Sequence, residues 1–260
     1  MSSVNVQTNQ ASNRQTVTPV RAAAVSVVIP CFNESEGLSF LFEKLEFLSR
    51  ELASDYQLEF VLVDDGSTDD TWEQLQLLTT NRADCRVVRH AKNQGIAAAV
   101  LTGIQNSQHD FIATIDADCS YDPVQLREMI PMLEKGNDVV TASPYHPQGK
   151  VLHVPAWRLA LSRTASRMYR LLFRHKLHTY TSCFRVFRAT AVRNLQIENP
   201  GFVGIAEMLW RLDRQGYRIA ECPAELSIRQ YGQSKLRVLS VACGHGRLLL
   251  QAASERLFRG

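Results

Sequence analysis

The chain has 260 residues, of which 45% are hydrophobic and 21% are charged, and its formal net charge is +3. This length suits one large domain with a sizeable core, and the composition is typical of soluble globular proteins. The sequence contains no apolar run near the ~18 residues that a membrane-spanning helix requires. Its six cysteines have no paired spacing, so we expect thiols in a reducing compartment rather than disulfides or a zinc site.

Charge is unevenly distributed along the chain. Residues 1–155 contain 11 basic and 20 acidic side chains, a balance of −9, whereas residues 156–260 contain 18 and 6, a balance of +12. An acidic front half and a basic back half predict different partners for the two halves. Residues 1–24 are polar and contain no acid, so we expect a disordered leader there and not a signal peptide.

Strands and helices are predicted to alternate along the front half. Apolar runs of strand length occur at 25–29, 59–63, 86–88, 111–115 and 138–141. Between them, Asn33 and Glu36 have the spacing of a capping box that opens a helix. Further helices are expected around 72–78, at 94–106 and from Asp122-Pro123 onward, with proline in the first turn. This alternation predicts an α/β fold with a mostly parallel sheet covered by helices on both faces.

Polar residues follow three of these strands, in the segments Pro30-Cys31-Phe32-Asn33-Glu34, Asp64-Asp65-Gly66-Ser67 and Asp116-Ala117-Asp118. The carboxyl ends of parallel strands meet at one sheet edge, where open α/β folds bind ligands. Glycine fingerprints for dinucleotides and the P-loop pattern are absent. Paired carboxylates suit a divalent cation that holds a diphosphate. A structural alternative is that the acids only form turns or cap helices.

Four motifs in order resemble family 2 inverting glycosyltransferases, namely residues 27–34, 63–69, 93–95 and 116–118. The resemblance covers about residues 25–235 and implies a nucleotide-sugar-binding domain of the GT-A fold. It leaves residues 236–260 as a C-terminal amphipathic helix. Residues 180–185 and 229–236 are similar to the polyprenyl-phosphate branch of the family, which includes dolichyl-phosphate mannose synthases.

The resemblance implies roles for individual residues. The implied nucleotide-sugar site comprises Pro30, Phe32, Glu34, Val63, Asp65, Asp116, Ala117, Asp118, Arg229 and Lys235. Of these, Val63 and Asp65 are expected at the base, and the predicted catalytic set is Asp116, Asp118, Arg229 and Lys235. The two aspartates would meet Mg²⁺ or Mn²⁺, with Ser120 at the position of a further metal-side ligand.

The chain departs from the family pattern on the expected acceptor side. Pro144 stands where arginine is common, and Cys183 stands where glycine is common. A late helix keeps Glu207 but lacks the following aspartate that acts as a base in many members acting on hydroxyls. A phosphate monoester needs no base, because it is largely ionised near neutral pH.

We therefore predict metal-dependent transfer of mannose or another hexose from a GDP- or UDP-sugar to a polyprenyl phosphate. The alternative is transfer to a hydroxyl of a soluble sugar or protein, with Glu207 as the base. A nucleic-acid binder is disfavoured, because no binding motif is recognisable and the predicted ligand edge is acidic.

The basic back half predicts contact with a membrane. On a helical wheel of residues 157–174, one face carries Arg163, Arg167, Arg170 and Arg174, and the opposite face carries Trp157, Leu161, Met168 and Leu172. A basic amphipathic helix is typical of membrane-surface binding. A second broad apolar face is expected at 238–258. The alternative is that both helices pack on the sheet or on a partner. We expect a cytoplasmic protein held at the membrane surface directly or by an anchoring partner subunit.

Overall fold

A computed structural model describes residues 23–229, 231 and 238–257. The predicted leader lies almost entirely outside these ranges, and so does Lys235. The described strands are β1 (Ala23–Cys31), β2 (Tyr56–Asp64), β3 (Cys85–Arg89), β4 (Phe111–Thr114), β5 (Val139–Ser143), β6 (Lys150–Val151), β7 (Arg185–Arg188), β8 (Ile219–Pro223) and β9 (Glu225–Leu226). The described helices are α1 (Leu38–Leu52), α2 (Thr71–Thr79), α3 (Ile96–Gln105), α4 (Leu126–Glu134), α5 (Ala156–Leu172), α6 (Ala189–Val192), α7 (Phe202–Arg214) and α8 (Val238–Leu257).

Seven strands form the central sheet in the order β3-β2-β1-β4-β7-β5-β8. β7 runs antiparallel to both of its neighbours, and the other neighbouring pairs are parallel. The predicted α/β fold with a mostly parallel sheet is confirmed. Neither β7 nor β8 was predicted from the sequence. A separate ribbon pairs β6 with β9.

Both faces of the sheet are buried. Val28, Val61 and Ile112 pack in one core cluster with residues of α3, α5, α7 and α8. Val27, Ile29 and Leu62 pack in the other cluster with residues of α1, α2 and α4. Side chains alternate between the two faces of a strand, so strands covered on both faces need nearly continuous apolar runs. This arrangement leaves the polar strand ends at one edge of a three-layer structure.

The capping box predicted at the start of α1 does not form. The helix begins at Leu38 after a 3-10 turn, and no side chain caps either element. Asn33 instead adopts a left-handed conformation, with φ of 52°, and its Oδ1 accepts a hydrogen bond from Thr68 N at 2.7 Å. The amides of Asn33 and Glu34 donate to Ser67 Oγ and Thr71 Oγ1, each at 2.8 Å. Long-range partners thus replace the local cap and tie the loop after β1 to the loop after β2.

Helix α5 buries a face that the helical wheel did not single out. Ser166 and Tyr169 point into the protein, while the predicted arginine flank is exposed. The predicted apolar flank is also largely exposed, with Trp157 51% and Met168 46% accessible. Helix α8 packs beside α5, and Tyr169 Oη lies 2.6 Å from His245 Nδ1. Within the ranges that the structure describes, no helix is both long and apolar enough to cross a membrane.

Candidate active site

A cleft of about 380 Å³ opens at the carboxyl ends of β1, β2 and β4. β1 lies between β2 and β4 in the sheet, so the loops that follow the three strands converge. Eight residues of the predicted site line this cleft: Pro30, Phe32, Glu34, Asp65, Asp116, Ala117, Asp118 and Arg229. The structure therefore brings together most of the residues that the sequence singled out.

Two predicted residues do not line the cleft. Val63 is fully buried in the core, because its side chain alternates to the same sheet face as Val61. Ser120 contributes its backbone, and its amide donates to Asp118 Oδ1 at 2.9 Å. Its carbonyl oxygen accepts a hydrogen bond from Ser227 N at 2.8 Å. The main chain of Ser120 thus orients Asp118, and its hydroxyl is not part of the cleft wall.

Asp65 lines the cleft but is only 2% exposed. Its Oδ1 accepts hydrogen bonds from His90 Nδ1 at 2.7 Å and from Gln94 N at 2.8 Å. Its Oδ2 accepts from Asn93 Nδ2 at 2.9 Å and from Gly95 N at 2.8 Å. A carboxylate has about four lone-pair positions, and these four hydrogen bonds engage that number. In this arrangement Asp65 holds the loop at 90–95 beside the cleft, and its role at the nucleotide base stays a prediction.

Two glycines allow these loops to lie close together. Gly66 has φ of 70°, and a Cβ on it would come within 2.4 Å of the carbonyl carbon of Lys92. Gly95 has φ of 107°, and a Cβ there would come within 2.6 Å of Pro200 O. Positive φ is readily adopted only by glycine. Both positions therefore require glycine for conformation and for space, which explains the glycines in the second and third motifs.

Asp116 and Asp118 lie where β4 ends. Burial, and next the charge on Asp118, raise the pKa of Asp116 to about 7. Asp118 Oδ2 pairs with Arg229 Nη2 at 2.5 Å. Two carboxylates are hard oxygen donors that fit Mg²⁺ or Mn²⁺. Within the described ranges no three His, Cys, Asp or Glu side chains form a metal cluster, so further ligands would come from a diphosphate and water.

A second cavity of about 200 Å³ adjoins the cleft, and Ile96, Asp116 and Phe202 line both. Pro144 and Cys183, the two departures from the family pattern, lie in its wall. Burial raises the pKa of the Cys183 thiol well above its ordinary value, so this thiol stays protonated. The remaining wall is rich in hydroxyl groups, from Tyr121, Tyr145, Ser162, Thr179, Thr181 and Ser182.

Glu207 is fully buried on α7. Its Oε1 accepts from Glu198 N at 2.8 Å and from Arg211 Nε at 2.7 Å. Its Oε2 accepts from the amide and the side chain of Asn199 at 2.9 and 2.6 Å. Although burial acts to raise the pKa of Glu207, the hydrogen bonds from Asn199, Glu198 and Arg211 hold it below the ordinary value. A carboxylate engaged in this way is a poor general base.

Several residues that line the cleft were given no role from the sequence. Phe202 and Val241 belong to the late helices α7 and α8, and both reach the cleft. Asn93 and Gly95 belong to a quoted motif but were given no role, and both line the cleft as well. Only the packing of the late helices against the sheet edge brings Phe202 and Val241 to this position.

Comparison with known proteins identifies relatives along most of the chain. The model of the family "Glycosyl transferase family 2" matches residues 26–196. The dolichol-phosphate mannosyltransferase of Pyrococcus furiosus is 30% identical over 215 residues, which cover 82% of this chain and 59% of that protein. The polyprenol monophosphomannose synthase of Mycolicibacterium smegmatis is 27% identical over 219 residues, covering 81% of this chain and 80% of that protein.

Solved structures share the fold. Glucosyl-3-phosphoglycerate synthase from Mycobacterium tuberculosis, in complex with Mn²⁺, UDP and phosphoglyceric acid, superposes with a TM-score of 0.66 at 19% identity over 88% of this chain and 78% of that one. A mannosyltransferase from Pyrobaculum calidifontis, with GDP-Man and Mn²⁺, gives 0.61 at 16% identity over 93% of this chain and 66% of that one. These similarities confirm the predicted GT-A fold. The family match over residues 26–196 shows that the chain belongs to glycosyl transferase family 2.

Proposed function

We propose that the protein transfers a hexose, such as mannose, from a GDP- or UDP-sugar to a polyprenyl phosphate with inversion at the anomeric carbon. The observation that carries this proposal is the shared wall at Asp116, where the cleft meets the second cavity. A donor in the cleft and an acceptor in the second cavity would meet at that wall. The names of the relatives, which refer to dolichol-phosphate and polyprenol mannose transfer, support this class of substrate.

The residues of the cleft have complementary roles in this reaction. Asp116 and Asp118 would hold Mg²⁺ or Mn²⁺, which as a Lewis acid neutralises charge on the leaving diphosphate. Arg229 would move from Asp118 to the diphosphate oxygens as a charge-assisted donor, and we assign Lys235 the same task. An ionised phosphate oxygen of the acceptor forms the new bond to the anomeric carbon while the bond to the diphosphate oxygen breaks. This single displacement requires positioning of two anions but no general base.

Transfer to a hydroxyl acceptor is the second candidate. The hydroxyl groups around the second cavity favour it, because they match the hydrogen-bonding groups of a sugar. A hydroxyl nucleophile needs a base, and the candidate Glu207 is occupied by four hydrogen bonds. The geometry therefore supports the phosphate acceptor better.

We also propose that α5 brings the protein to the cytoplasmic surface of a membrane. Its buried face lies between an exposed arginine flank and a largely exposed apolar flank that contains Trp157, Leu161 and Met168. A helix lying in the membrane interface uses apolar side chains for insertion and basic ones for anionic headgroups. An anchoring partner subunit that covers the same flanks would serve the same purpose.

A donor and acceptor panel tests the proposed function. The purified chain would be incubated with GDP- and UDP-sugars, with polyprenyl phosphate or soluble sugars as acceptors, and with Mg²⁺, Mn²⁺ or EDTA. We expect a lipid-linked sugar phosphate from one donor class, and no product in EDTA. Transfer to soluble sugars but not to polyprenyl phosphate would establish the hydroxyl-acceptor alternative instead.

A further inference from the structure

The charges around the second cavity bear on how a phosphate acceptor could bind there. A phosphate that enters it approaches the carboxylate of Asp116 in the shared wall. Like charges repel unless a cation compensates them. Yet none of the described residues that line this cavity is a lysine, an arginine or a histidine. If the acceptor is a phosphate, as the proposed function holds, a metal ion on Asp116 would offset that carboxylate, and a side-chain cation from the described residues must come from outside this wall.

Two described arginines near this region are engaged elsewhere. Arg185 is 1% exposed, and its guanidinium donates to Thr141 Oγ1, Ile205 O and Tyr180 O at 3.3, 2.6 and 2.7 Å. Arg229 lines the cleft and pairs with Asp118. Arg185 is buried behind the residues that line the second cavity, and Arg229 faces the cleft proposed for the donor. Neither is placed to meet an acceptor at the outer mouth.

Arg163 of α5 is placed at that mouth. Its guanidinium carbon lies 5.1 Å from the centre of the Tyr145 ring. Tyr145 and Ser162, which precedes Arg163 in the chain, both line the cavity. The Arg163 side chain is exposed, and a guanidinium over an aromatic ring can still donate hydrogen bonds from its edge N–H groups.

We propose that Arg163 binds the acceptor phosphate at the mouth of the second cavity. A planar guanidinium can donate two parallel hydrogen bonds to phosphate oxygens, and it tolerates stacking on an aromatic ring while it does so. Pro144, in the loop after β5, has no side-chain donor. Helix α5 would therefore supply the positive charge that this loop lacks.

The test separates this role from general attraction to a membrane. Arg163→Gln, Arg163→Lys and Arg167→Gln would be assayed without vesicles, using a short-chain, water-soluble isoprenyl phosphate as the acceptor. Arg167 lies one turn along the same exposed flank, so it is the matched comparison for charge. Thermal unfolding of each variant checks that the fold is unchanged. Direct binding of the isoprenyl phosphate, measured by calorimetry, gives a readout that does not depend on turnover.

We expect Arg163→Gln to raise the acceptor KM and Kd by roughly ten- to a hundredfold, the factor associated with a hydrogen bond to a charged group. The donor KM should remain within about twofold, because loss of a binding contact outside the cleft leaves donor binding intact. Arg163→Lys should recover part of the affinity, since it keeps the charge but not the planar fork. The effect of Arg167→Gln should be several times smaller.

Other outcomes would overturn the assignment. Equal acceptor Kd values for Arg163→Gln and Arg167→Gln would mean that only net charge matters. Unchanged binding in Arg163→Gln would remove Arg163 from the acceptor site. Binding of the isoprenyl phosphate that depends on Arg163, but without sugar transfer from any donor, would retain the phosphate site and refute the proposed function.

Discussion

At the scale of single residues, buried carboxylates differ in whether they stabilise the fold or face the cleft. Asp65 and Glu207 each accept four hydrogen bonds from the chain itself and act as braces. Asp116 and Asp118 line the cleft beside Asp65 without four such bonds from the described residues, and the proposed function gives them the metal. The sequence identified the acids at the strand ends. It could not distinguish a carboxylate that holds loops by hydrogen bonds from one that could bind a metal ion. The partners of Asp65 are 25 to 30 positions away in sequence, so only the folded chain reveals them.

Removal of the Asp118 carboxylate should abolish activity without unfolding the protein. We expect Asp118→Ala to lose both sugar transfer and metal-dependent binding of the donor, because one of two hard oxygen ligands is gone. Donor binding would be measured by calorimetry with Mn²⁺ and with EDTA, and circular dichroism would check the fold. Full transfer by Asp118→Ala, or by the natural protein in EDTA, would contradict the assigned metal site.

Glu207 should matter more for stability than for chemistry. In Glu207→Gln the side-chain amide group replaces one acceptor oxygen and faces N–H donors, which leaves buried donors unsatisfied. We expect a loss of about 1–3 kcal/mol in the free energy of unfolding, measured by denaturant titration, with a modest change in kcat. A fall in kcat on the order of 10²–10⁴-fold with unchanged stability would identify Glu207 as a base and favour the hydroxyl acceptor.

At the scale of elements, hydrophobic periodicity predicted the helices and strands of the front half, because each buries its apolar side chains in one of two continuous cores. Residues 185–188 escaped prediction because an arginine stands at each end of this strand, and Arg185 is buried although charged side chains are usually exposed. The buried face of α5 escaped as well. That face includes Ser166 and Tyr169, and their polar groups make it look like an exposed face in the sequence. The apolar side chains of α5 were therefore predicted to contact a membrane surface.

The contact between α5 and α8 should make stability depend on pH. Burial lowers the pKa of His245, whose ring faces Tyr169 of α5, so the folded state favours neutral imidazole. The unfolded chain binds a proton near the ordinary pKa of about 6.5. The stability from this site is therefore fully present above pH ~6.5 and is lost as the pH falls through the lowered folded-state pKa.

The variant His245→Gln, whose side chain does not titrate, isolates the contribution of His245 to the pH dependence of stability. The free energy of unfolding would be measured at pH 7.5 and at pH 5.5 for the natural protein and for His245→Gln. We expect the natural protein to lose more stability on acidification than the variant does. His175 and His178, which contact Asp213 and Glu221, remain in both proteins and cancel in the comparison. An identical pH dependence would show that His245 does not contribute.

At the scale of the whole molecule, the division of charge between the two halves of the sequence has a spatial counterpart. Acidic residues of the front half supply the strand ends of the cleft, and the basic back half supplies α5 with its exposed arginine flank. The sequence predicted this division, because charge can be counted along a chain. It could not predict that residues of both halves line the second cavity, since Asp116 and Tyr121 meet Ser162 and Thr181 there only after folding.

Reversal of the arginine flank should weaken membrane binding and spare the donor site. Each basic residue near an anionic surface contributes about 1 kcal/mol, so four supply roughly 4 kcal/mol before screening. We expect the simultaneous change of Arg163, Arg167, Arg170 and Arg174 to Glu to abolish co-sedimentation with anionic vesicles at low salt. Binding by the natural protein should fall only partly at high salt, because apolar insertion is not screened.

The matched control is donor binding in the same fourfold variant, which should survive because Asp116 and Asp118 lie at the sheet edge. The natural chain should sediment poorly with neutral vesicles, which lack the electrostatic attraction. If the natural chain alone fails to bind anionic vesicles at low salt, direct attachment through α5 is refuted. Recovery of binding only after addition of a membrane protein would then point to an anchoring subunit.

The pairing of Arg229 with Asp118 has a kinetic consequence for the proposed reaction. Asp118 Oδ2 lies 2.5 Å from the guanidinium, and the positive charge of Arg229 at that distance opposes the approach of a divalent cation to the same carboxylate. The cation and the arginine would therefore compete for Asp118 until a diphosphate arrives to accept the arginine. Donor and metal should therefore bind cooperatively, each raising the affinity of the cleft for the other. Product inhibition by the nucleotide should be competitive toward the donor, because both would occupy the same cleft, and it should be weaker in EDTA.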